Sequence, residues 1–137
     1  MGREVFDSFA GFDDFLVYLG VSLAYLAVFV AIYIRITPYR EMQLIREGNM
    51  AASFSLSGAI LGFIVPLASA IQHSVSLVDM AIWGLIAMAV QIAAFVVVKL
   101  AIPSITRDIP EGKAAQGFFL GALSLGVGLL NAACMSF

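Results

Sequence analysis

The 137-residue sequence has few charged residues and a single cysteine. Charged residues make up 12% of it, against roughly 25% in soluble globular domains, while hydrophobic residues make up 62%. One water-soluble domain of this size cannot bury so much apolar surface, so the composition predicts a membrane protein. The lone Cys134 excludes an internal disulfide and a cysteine-based metal site. The small net charge of −2 gives no reason to expect nucleic acid as a partner.

Four stretches reach the length of about 20 apolar residues that a membrane span needs. They cover residues 15–36, 50–74, 78–102 and 114–137. Asp79 and Lys99 fall inside the third stretch but close to its ends. A charge at a helix centre costs about 2.5 to 3.5 kcal/mol on insertion, so charge-free interiors are informative. The predicted fold is an all-α membrane protein, with four transmembrane helices in a single domain, residues 1–137.

Positive charge is concentrated beside two of the connections. Six of the seven Lys and Arg residues lie there: Arg35, Arg40, Arg46, Lys99, Arg107 and Lys113. The positive-inside rule therefore predicts that loops 37–49 and 103–113 are cytoplasmic in a bacterial inner membrane, with both termini outside in the periplasm. Residues 1–14 place phenylalanines among acidic residues, which fits either a short interfacial helix or a frayed terminus.

One passage of the sequence is repeated. Residues 47–62 read "EGNMAASFSLSGAILG", and residues 111–126 read "EGKAAQGFFLGALSLG". From Ala51 and Ala114 onward, the two copies are offset by a constant 63 residues. This indicates two helical hairpins of the same orientation, about residues 15–74 and about residues 78–137. Such a parallel repeat has its axis along the membrane normal, unlike the inverted repeats of many transporters.

Small and polar residues recur at helical spacing in every span. In lipid, helices associate through such faces, because water supplies no hydrophobic drive between them. The members are Gly20, Ala24, Ala27 and Ala31; Ser55, Gly58, Gly62, Pro66, Ser69 and His73; Gly84, Ala87, Gln91 and Ala94; and Gly117, Gly121, Ser124, Gly128 and Asn131. The GxxxG steps Gly58–Gly62 and Gly117–Gly121 predict that the second and fourth spans pack closely. Pro66 predicts either a hinge or a static kink in the second span.

The sequence offers little chemistry. No span carries a carboxylate in its interior, so a proton or sodium relay built on Asp or Glu is not expected. No metal-ligand cluster, phosphate-binding glycine loop or paired nucleophile is present, so we expect no enzyme, no metal and no cofactor. The polar side chains left at membrane depth either cross-link helices or line a pathway. They are Gln91, Asn131, Ser57, Ser69 and His73.

Three segments resemble a known family. Residues 37–70, which begin "TPYREMQLIREGN", residues 81–91 and the tail "NAACM" at 131–135 are similar to YjfL-type bacterial inner membrane proteins, domain-of-unknown-function family 350. The resemblance implies paired two-helix units and no established activity. It also implies genes located near membrane-stress proteins of the phage-shock type and near ATP-grasp ligases.

Two functional hypotheses follow for a protein whose partner is the lipid bilayer. The first is a homo-oligomeric helix bundle that provides a pathway for a small ion or solute. The alternative is a non-conducting scaffold, whose charged loops recruit cytoplasmic membrane-stress proteins for envelope stress or membrane maintenance.

Overall fold

The structure, a computed structural model, describes residues 2–135, and of residues 6–8 the backbone alone. Every regular element among these residues is a helix. The helices are α1 (Gly2–Phe9), α2 (Phe12–Ile36), α3 (Glu41–Arg46), α4 (Met50–His73), α5 (Leu77–Ala101), α6 (Ile105–Asp108) and α7 (Ala114–Cys134). Four of them, α2, α4, α5 and α7, are long and apolar enough to cross a membrane. The prediction of an all-α chain with four spans is confirmed.

The predicted span limits are nearly right. The first span begins at Phe12 and not at residue 15, because Asp13 and Asp14 fall in its first turn, where carboxylates interact favourably with the helix dipole. The last span ends at Cys134, while the prediction ran to residue 137; residues 136–137 lie outside the described part.

The cap of α5 is shared between two residues. The Ser76 Oγ accepts a hydrogen bond from the Asp79 backbone N at 3.1 Å, and the Asp79 Oδ2 accepts one from the Val75 N at 3.2 Å. This arrangement resembles a capping box, except that the acidic side chain accepts from Val75, the residue before the N-cap. Ser76 is thus the N-cap, and the acidic residue supports it from the first turn.

Helix α4 lies at the centre of the bundle and packs along α7, with α5 and α2 at its sides. Helices α4 and α7 run parallel, since Ala51 lies opposite Gly117, Gly58 opposite Gly121, and Ser69 opposite Ala132. We call the end that carries α3 and α6 the basic end. The opposite end, which holds the connection at residues 74–76, is the turn end.

Aromatic rings attach α2 to this core near the basic end. Phe29 stacks on Phe63 of α4 with ring centres 4.6 Å apart, and Tyr33 meets the edge of Phe95 of α5 at 5.0 Å. These two residues, Phe29 and Tyr33, are the buried members of α2. Nearer the turn end, Tyr25 is partly buried against the core, and its Oη donates to the Ala81 carbonyl of α5 at 2.6 Å.

The two loops at the basic end share a backbone pattern. Gly48 (φ 85°) and Gly112 (φ 79°) adopt the left-handed conformation that glycine accommodates best. Beside them, the Asn49 N–H donates to the Leu44 carbonyl at 2.9 Å, and the Lys113 N–H donates to the Asp108 carbonyl at 3.1 Å. Each of these hydrogen bonds runs from a backbone N–H to the carbonyl five residues earlier, which is the pattern of a Schellman motif. This motif ends a helix at a glycine in the left-handed conformation.

A side chain joins the two loops. The Asn49 Oδ1 caps α4 by accepting from the Ala52 N at 3.0 Å, while its Nδ2 donates to the Ile109 carbonyl at 3.0 Å. One residue therefore fixes the start of α4 and holds the second loop against the first.

Candidate functional site

Glycines bring the backbones of α4 and α7 into direct contact. A Cβ added to Gly58 would overlap the backbone of Gly121, and one added to Gly117 would overlap Ala51. One added to Gly62 would overlap the Ser124 carbonyl. Because glycine has a hydrogen on Cα where other residues have a Cβ, its Cα–H groups can approach the backbone carbonyls of the facing helix. The same is seen at other close helix contacts in membranes. The four glycines predicted from the GxxxG steps thus lie in one contact.

Pro66 is buried within α4 and has no N–H to offer the Gly62 carbonyl. That carbonyl faces α7, where a Cβ at Gly128 would overlap its oxygen. The Gly128 Cα–H therefore approaches the acceptor that Pro66 leaves free. The carbonyl that Pro66 leaves without an intrahelical donor is thus packed against α7.

Gln91 lies in the middle of the bundle, between three helices. Its side chain is 3% exposed, and its Nε2 donates to the Ser124 carbonyl of α7 at 2.8 Å. A Cβ at Gly62 of α4 would overlap that Nε2, so the missing side chain makes room for the amide. The Oε1 has no hydrogen-bond partner among the described residues. Gln91 thus cross-links α5 to α7 and leaves one acceptor unpaired.

A second polar group lies toward the turn end. The Ser69 Oγ donates to the Ala132 carbonyl at 3.3 Å, which joins α4 to α7. The neighbouring Asn131 is half-buried, and its Nδ2 has no partner within the described part of the chain. His73 is exposed, one turn beyond Ser69, and its Nδ1 lies 2.9 Å from the Ser69 carbonyl.

Ser57 does not belong to either group. Its side chain is exposed on the outer face of α4, whereas Ser55 of the same turn is buried. Of the five polar residues predicted at membrane depth, the structure brings Ser69 and His73 together and places Gln91 deeper. Asn131 precedes Ala132, the α7 residue whose carbonyl Ser69 contacts.

A cavity of about 370 Å³ opens beside this second group. Its polar lining comes from Ser69, His73, Ser74 and Asp79, and Trp83 forms an apolar wall. Over residues 2–135, no three His, Cys, Asp or Glu side chains are grouped to hold a metal ion. Polar groups and space thus occur together at the turn end.

A buried carboxyl at the basic end was not expected from the sequence. Glu41, the first residue of α3, is 0% exposed, and neither of its oxygens has a hydrogen-bond partner among the described residues. Tyr33 and Tyr39 lie close enough to feel its charge. The Tyr33 Oη is 3.2 Å from the Ser55 Oγ, which is buried in α4. We call these four residues, Glu41, Tyr33, Tyr39 and Ser55, the Glu41 cluster.

The environment of this cluster disfavours negative charge. Burial raises the pKa of Glu41 to about 8. The Thr37 hydroxyl beside it lowers the pKa by less, since it donates its own proton to the Ile34 carbonyl at 3.0 Å. Burial and, secondly, the Glu41 charge raise the pKa of Tyr39. An uncharged, protonated Glu41 is what this environment stabilises near neutral pH.

Helical spacing gives the signal that would have identified Glu41. In α3 it precedes Leu44 and Ile45 by three and four residues, and both are partly buried against the core. Residues at that spacing share a helix face, so the carboxyl is carried inward with them. Glu41 lies between two spans, outside the membrane-depth segments where a buried carboxylate would be conspicuous in the sequence.

The sequence is similar to those of a known family of membrane proteins. The sequence model of the family described as Domain of Unknown Function (DUF350) matches residues 7–135. The UPF0719 inner membrane protein YjfL of Escherichia coli (strain K12) is 38% identical over 133 residues, which cover 97% of this chain and 98% of that protein. The chain belongs to the DUF350 family. The UPF0719 transmembrane protein YshE of Bacillus subtilis (strain 168) is 27% identical over 122 residues, 85% of this chain and 88% of its own length.

Membership in DUF350 agrees with the four spans. YjfL is named an inner membrane protein and YshE a transmembrane protein, so this DUF350 chain is a multi-pass protein of the inner membrane, in contact with the lipid bilayer. No solved structure matches the chain.

Proposed function

We propose that this DUF350 protein is not an enzyme but provides a pathway across the inner membrane for a small ion or solute, as a homo-oligomer. The observation that carries the proposal is Gln91, a buried amide near the middle of α5 whose Oε1 is unpaired. A polar atom buried without a partner is costly in the membrane interior, where no bulk water compensates it. Such a group is retained most readily where water or a permeant species visits it.

Further polar groups extend from Gln91 toward both ends of the bundle. Along α4, Ser55, Gly62 (beside the Gln91 amide) and Ser69 follow one another at seven-residue steps, hence on one face. At a rise of 1.5 Å per residue, neighbouring members of this row are about 10 Å apart along the helix. They connect the Glu41 cluster at the basic end with the cavity at the turn end.

Ser55, the Gln91 amide beside Gly62, and Ser69 are too far apart for direct hydrogen bonds to one another. Between them the glycine contacts of α4 with α7 close the interior. A pathway therefore needs a small separation of α4 from α7, or a route along the contact between two copies. The second alternative makes the oligomer part of the function.

Flux in liposomes tests the proposal. We expect liposomes that contain the purified protein to dissipate at least one imposed gradient, of protons, sodium, potassium, chloride or glycerol, faster than protein-free liposomes. Gln91→Met should abolish this flux, and Ser57→Ala, on the exposed face of α4, should retain it. Absence of flux for every solute with the oligomer intact would overturn the proposal, as would full flux through the Gln91→Met protein.

A second function, a non-conducting scaffold, is favoured by the exposed charges of the basic end. Arg40, Arg46 and Glu47 in the first loop, and Arg107 and Glu111 in the second, are exposed. Such a surface suits acidic or basic patches of cytoplasmic membrane-stress proteins. Replacing both loops with neutral linkers and measuring cross-linked partners separates the two functions, because only a scaffold loses its partners while flux stays absent.

We further infer that the two hairpins are copies with one orientation and that both termini lie outside. The matching left-handed glycines, Gly48 and Gly112, support this, as do the matching Schellman hydrogen bonds beside them. The parallel packing of α4 on α7 also supports a parallel repeat.

The native cysteine tests the orientation. Cys134 is exposed at the turn end and should react with a membrane-impermeant maleimide added outside intact cells or right-side-out vesicles. In a Cys134→Ser background, Glu47→Cys at the basic end should react only after permeabilisation. The reverse pattern would invert the proposed topology.

A further inference from the structure

We propose that Glu41 is a proton-binding site, loaded at neutral pH and reached from the basic end, with Tyr33 and Ser55 on its inner side. The ligand is a proton, and the site consists of one carboxyl group surrounded by hydroxyl groups. The inference does not require that the bundle conducts.

The surroundings of Glu41 determine the state of its carboxyl group. Glu41 is 0% exposed, and both of its oxygens lack a donor within the described residues. An ionised carboxylate in that position would have neither water nor a counter-charge, which is the most costly way to bury an acid. Binding one proton removes the charge, and the environment therefore selects the protonated form.

Within the described residues, no charged group is paired with the Glu41 carboxyl group. The groups that lie close to Glu41 are the phenols of Tyr33 in α2 and Tyr39 in the preceding loop, and the Thr37 hydroxyl, which donates to the Ile34 carbonyl. The Ser55 hydroxyl of α4 lies 3.2 Å from the Tyr33 Oη. Arg40 and Arg46 line the same cavity but are exposed to solvent, and Arg35 is exposed as well. Lys99 is half-buried in the last turn of α5, and Asp108 pairs with Lys113 at 3.2 Å.

Glu41 can be reached by protons from the basic end of the bundle. A cavity of about 400 Å³ at the basic end has Glu41 in its wall, together with Thr37, Tyr39, Arg40 and Arg46. A proton can reach the carboxyl group from this cavity by a local movement of the Tyr39 side chain. On the opposite side, the Tyr33 Oη and Ser55 Oγ, 3.2 Å apart, form a hydrogen-bonded pair in which either atom can be the donor. Glu41 thus separates an outer opening from an inner pair of hydroxyls.

The second loop has an apolar residue at the position that corresponds to Glu41. Ile105 is the first residue of α6, as Glu41 is of α3, and lies 64 residues further on, the same separation as between Gly112 and Gly48. Ile105 is 1% exposed. The second loop thus fills the corresponding position with an alkyl side chain, so this helix–loop unit does not need an acid in order to fold. The carboxyl group of the first loop then calls for a role other than packing.

Infrared spectroscopy of the full-length protein in lipid nanodiscs tests the site. We expect the carbonyl stretch of a buried protonated carboxyl group at about pH 6, which disappears as the pH is raised to about pH 10. Glu41→Gln should lack the titrating band completely. Glu47→Gln removes an exposed acid at the other end of α3 and should keep it.

Glu41→Ile copies the residue of the second loop and guards against a trivial folding defect in the glutamine variant. It should keep native helix content and lack the band. No band at pH 6 in the parent protein, or an unchanged titrating band in both Glu41 variants, would overturn the inference. Loss of the band on adding sodium at constant pH would also overturn it, since the site would then take a metal cation in place of the proton.

Discussion

At the scale of single residues, Glu41 should make the docking of α3 on the bundle depend on pH. Burial raises its pKa from 4.5 to about 8 in the docked helix, so docked α3 holds the proton more tightly than detached α3. Docking is then strongest below about pH 4.5, weakens as the pH rises to about 8, and stays level above that. The loss over this range is at most about 5 kcal/mol.

Hydrogen exchange of the α3 amides, corrected for the intrinsic effect of pH, measures this docking. Protection should fall over that range in the parent protein and in Glu47→Gln, the exposed control. It should be independent of pH in Glu41→Gln. An equal slope in all three proteins would contradict the prediction.

A second residue-scale prediction concerns Gln91, whose structural and functional contributions should differ. Its Nε2 forms one interhelical bond, to the Ser124 carbonyl, while its Oε1 is unpaired. Interhelical hydrogen bonds in membranes contribute about 0.6 kcal/mol on average. Gln91→Met keeps the side-chain length and should change the free energy of unfolding by less than about 1 kcal/mol, as measured by steric trapping. A loss of several kcal/mol would show that a flux defect in this variant reflects folding.

At the scale of helices, the contact between α4 and α7 should tolerate no added methyl group. In Gly58→Ala the new Cβ would overlap the Gly121 backbone, so the helices must separate. Overpacking of this kind costs typically about 1 to 3 kcal/mol. Gly126→Ala is the matched control, because a Cβ there meets nothing within 4 Å. Denaturation in mixed micelles should show a loss for Gly58→Ala and no loss for Gly126→Ala.

The helices also show what could be predicted from the sequence. The four spans were predictable because an apolar run long enough to cross a bilayer has few other stable arrangements. Helices α3 and α6, of six and four residues, were missed because so short a segment carries little periodicity. Glu41 was missed because an acid between spans normally faces water, although its helical spacing to the partly buried Leu44 and Ile45 indicates that it turns inward.

The interior polar contacts were predictable in kind and not in detail. That Gln91 would be buried followed from its depth in a span, but its partner, a backbone carbonyl of α7, depends on the crossing of two helices. The sequence placed Ser55 on the packing face of the second span and offered Ser57 as a polar contact at membrane depth. The rotation of α4 places Ser57 outside and Ser55 inside the bundle.

At the scale of the whole molecule, α2 has two different faces. Phe29 and Tyr33 pack against the core, while Gly20, Ala24, Ala27 and Ala31 are exposed. At 3.6 residues per turn, the four small residues form one stripe on the side opposite the two aromatic rings. Small-residue stripes are where membrane helices approach one another closely. We therefore expect α2 to form the contact between copies of this chain.

Cysteine cross-linking in the membrane tests this arrangement. In a Cys134→Ser background, Ala27→Cys should form disulfide-linked dimers on mild oxidation, because a stripe-to-stripe contact brings the two sulfurs within bonding range. Leu19→Cys is exposed on α2 but lies off the stripe, and it should remain monomeric under the same conditions. Dimers at Leu19→Cys with none at Ala27→Cys would move the contact to another face. Dimers at neither position would exclude this stripe of α2 from the contact between copies.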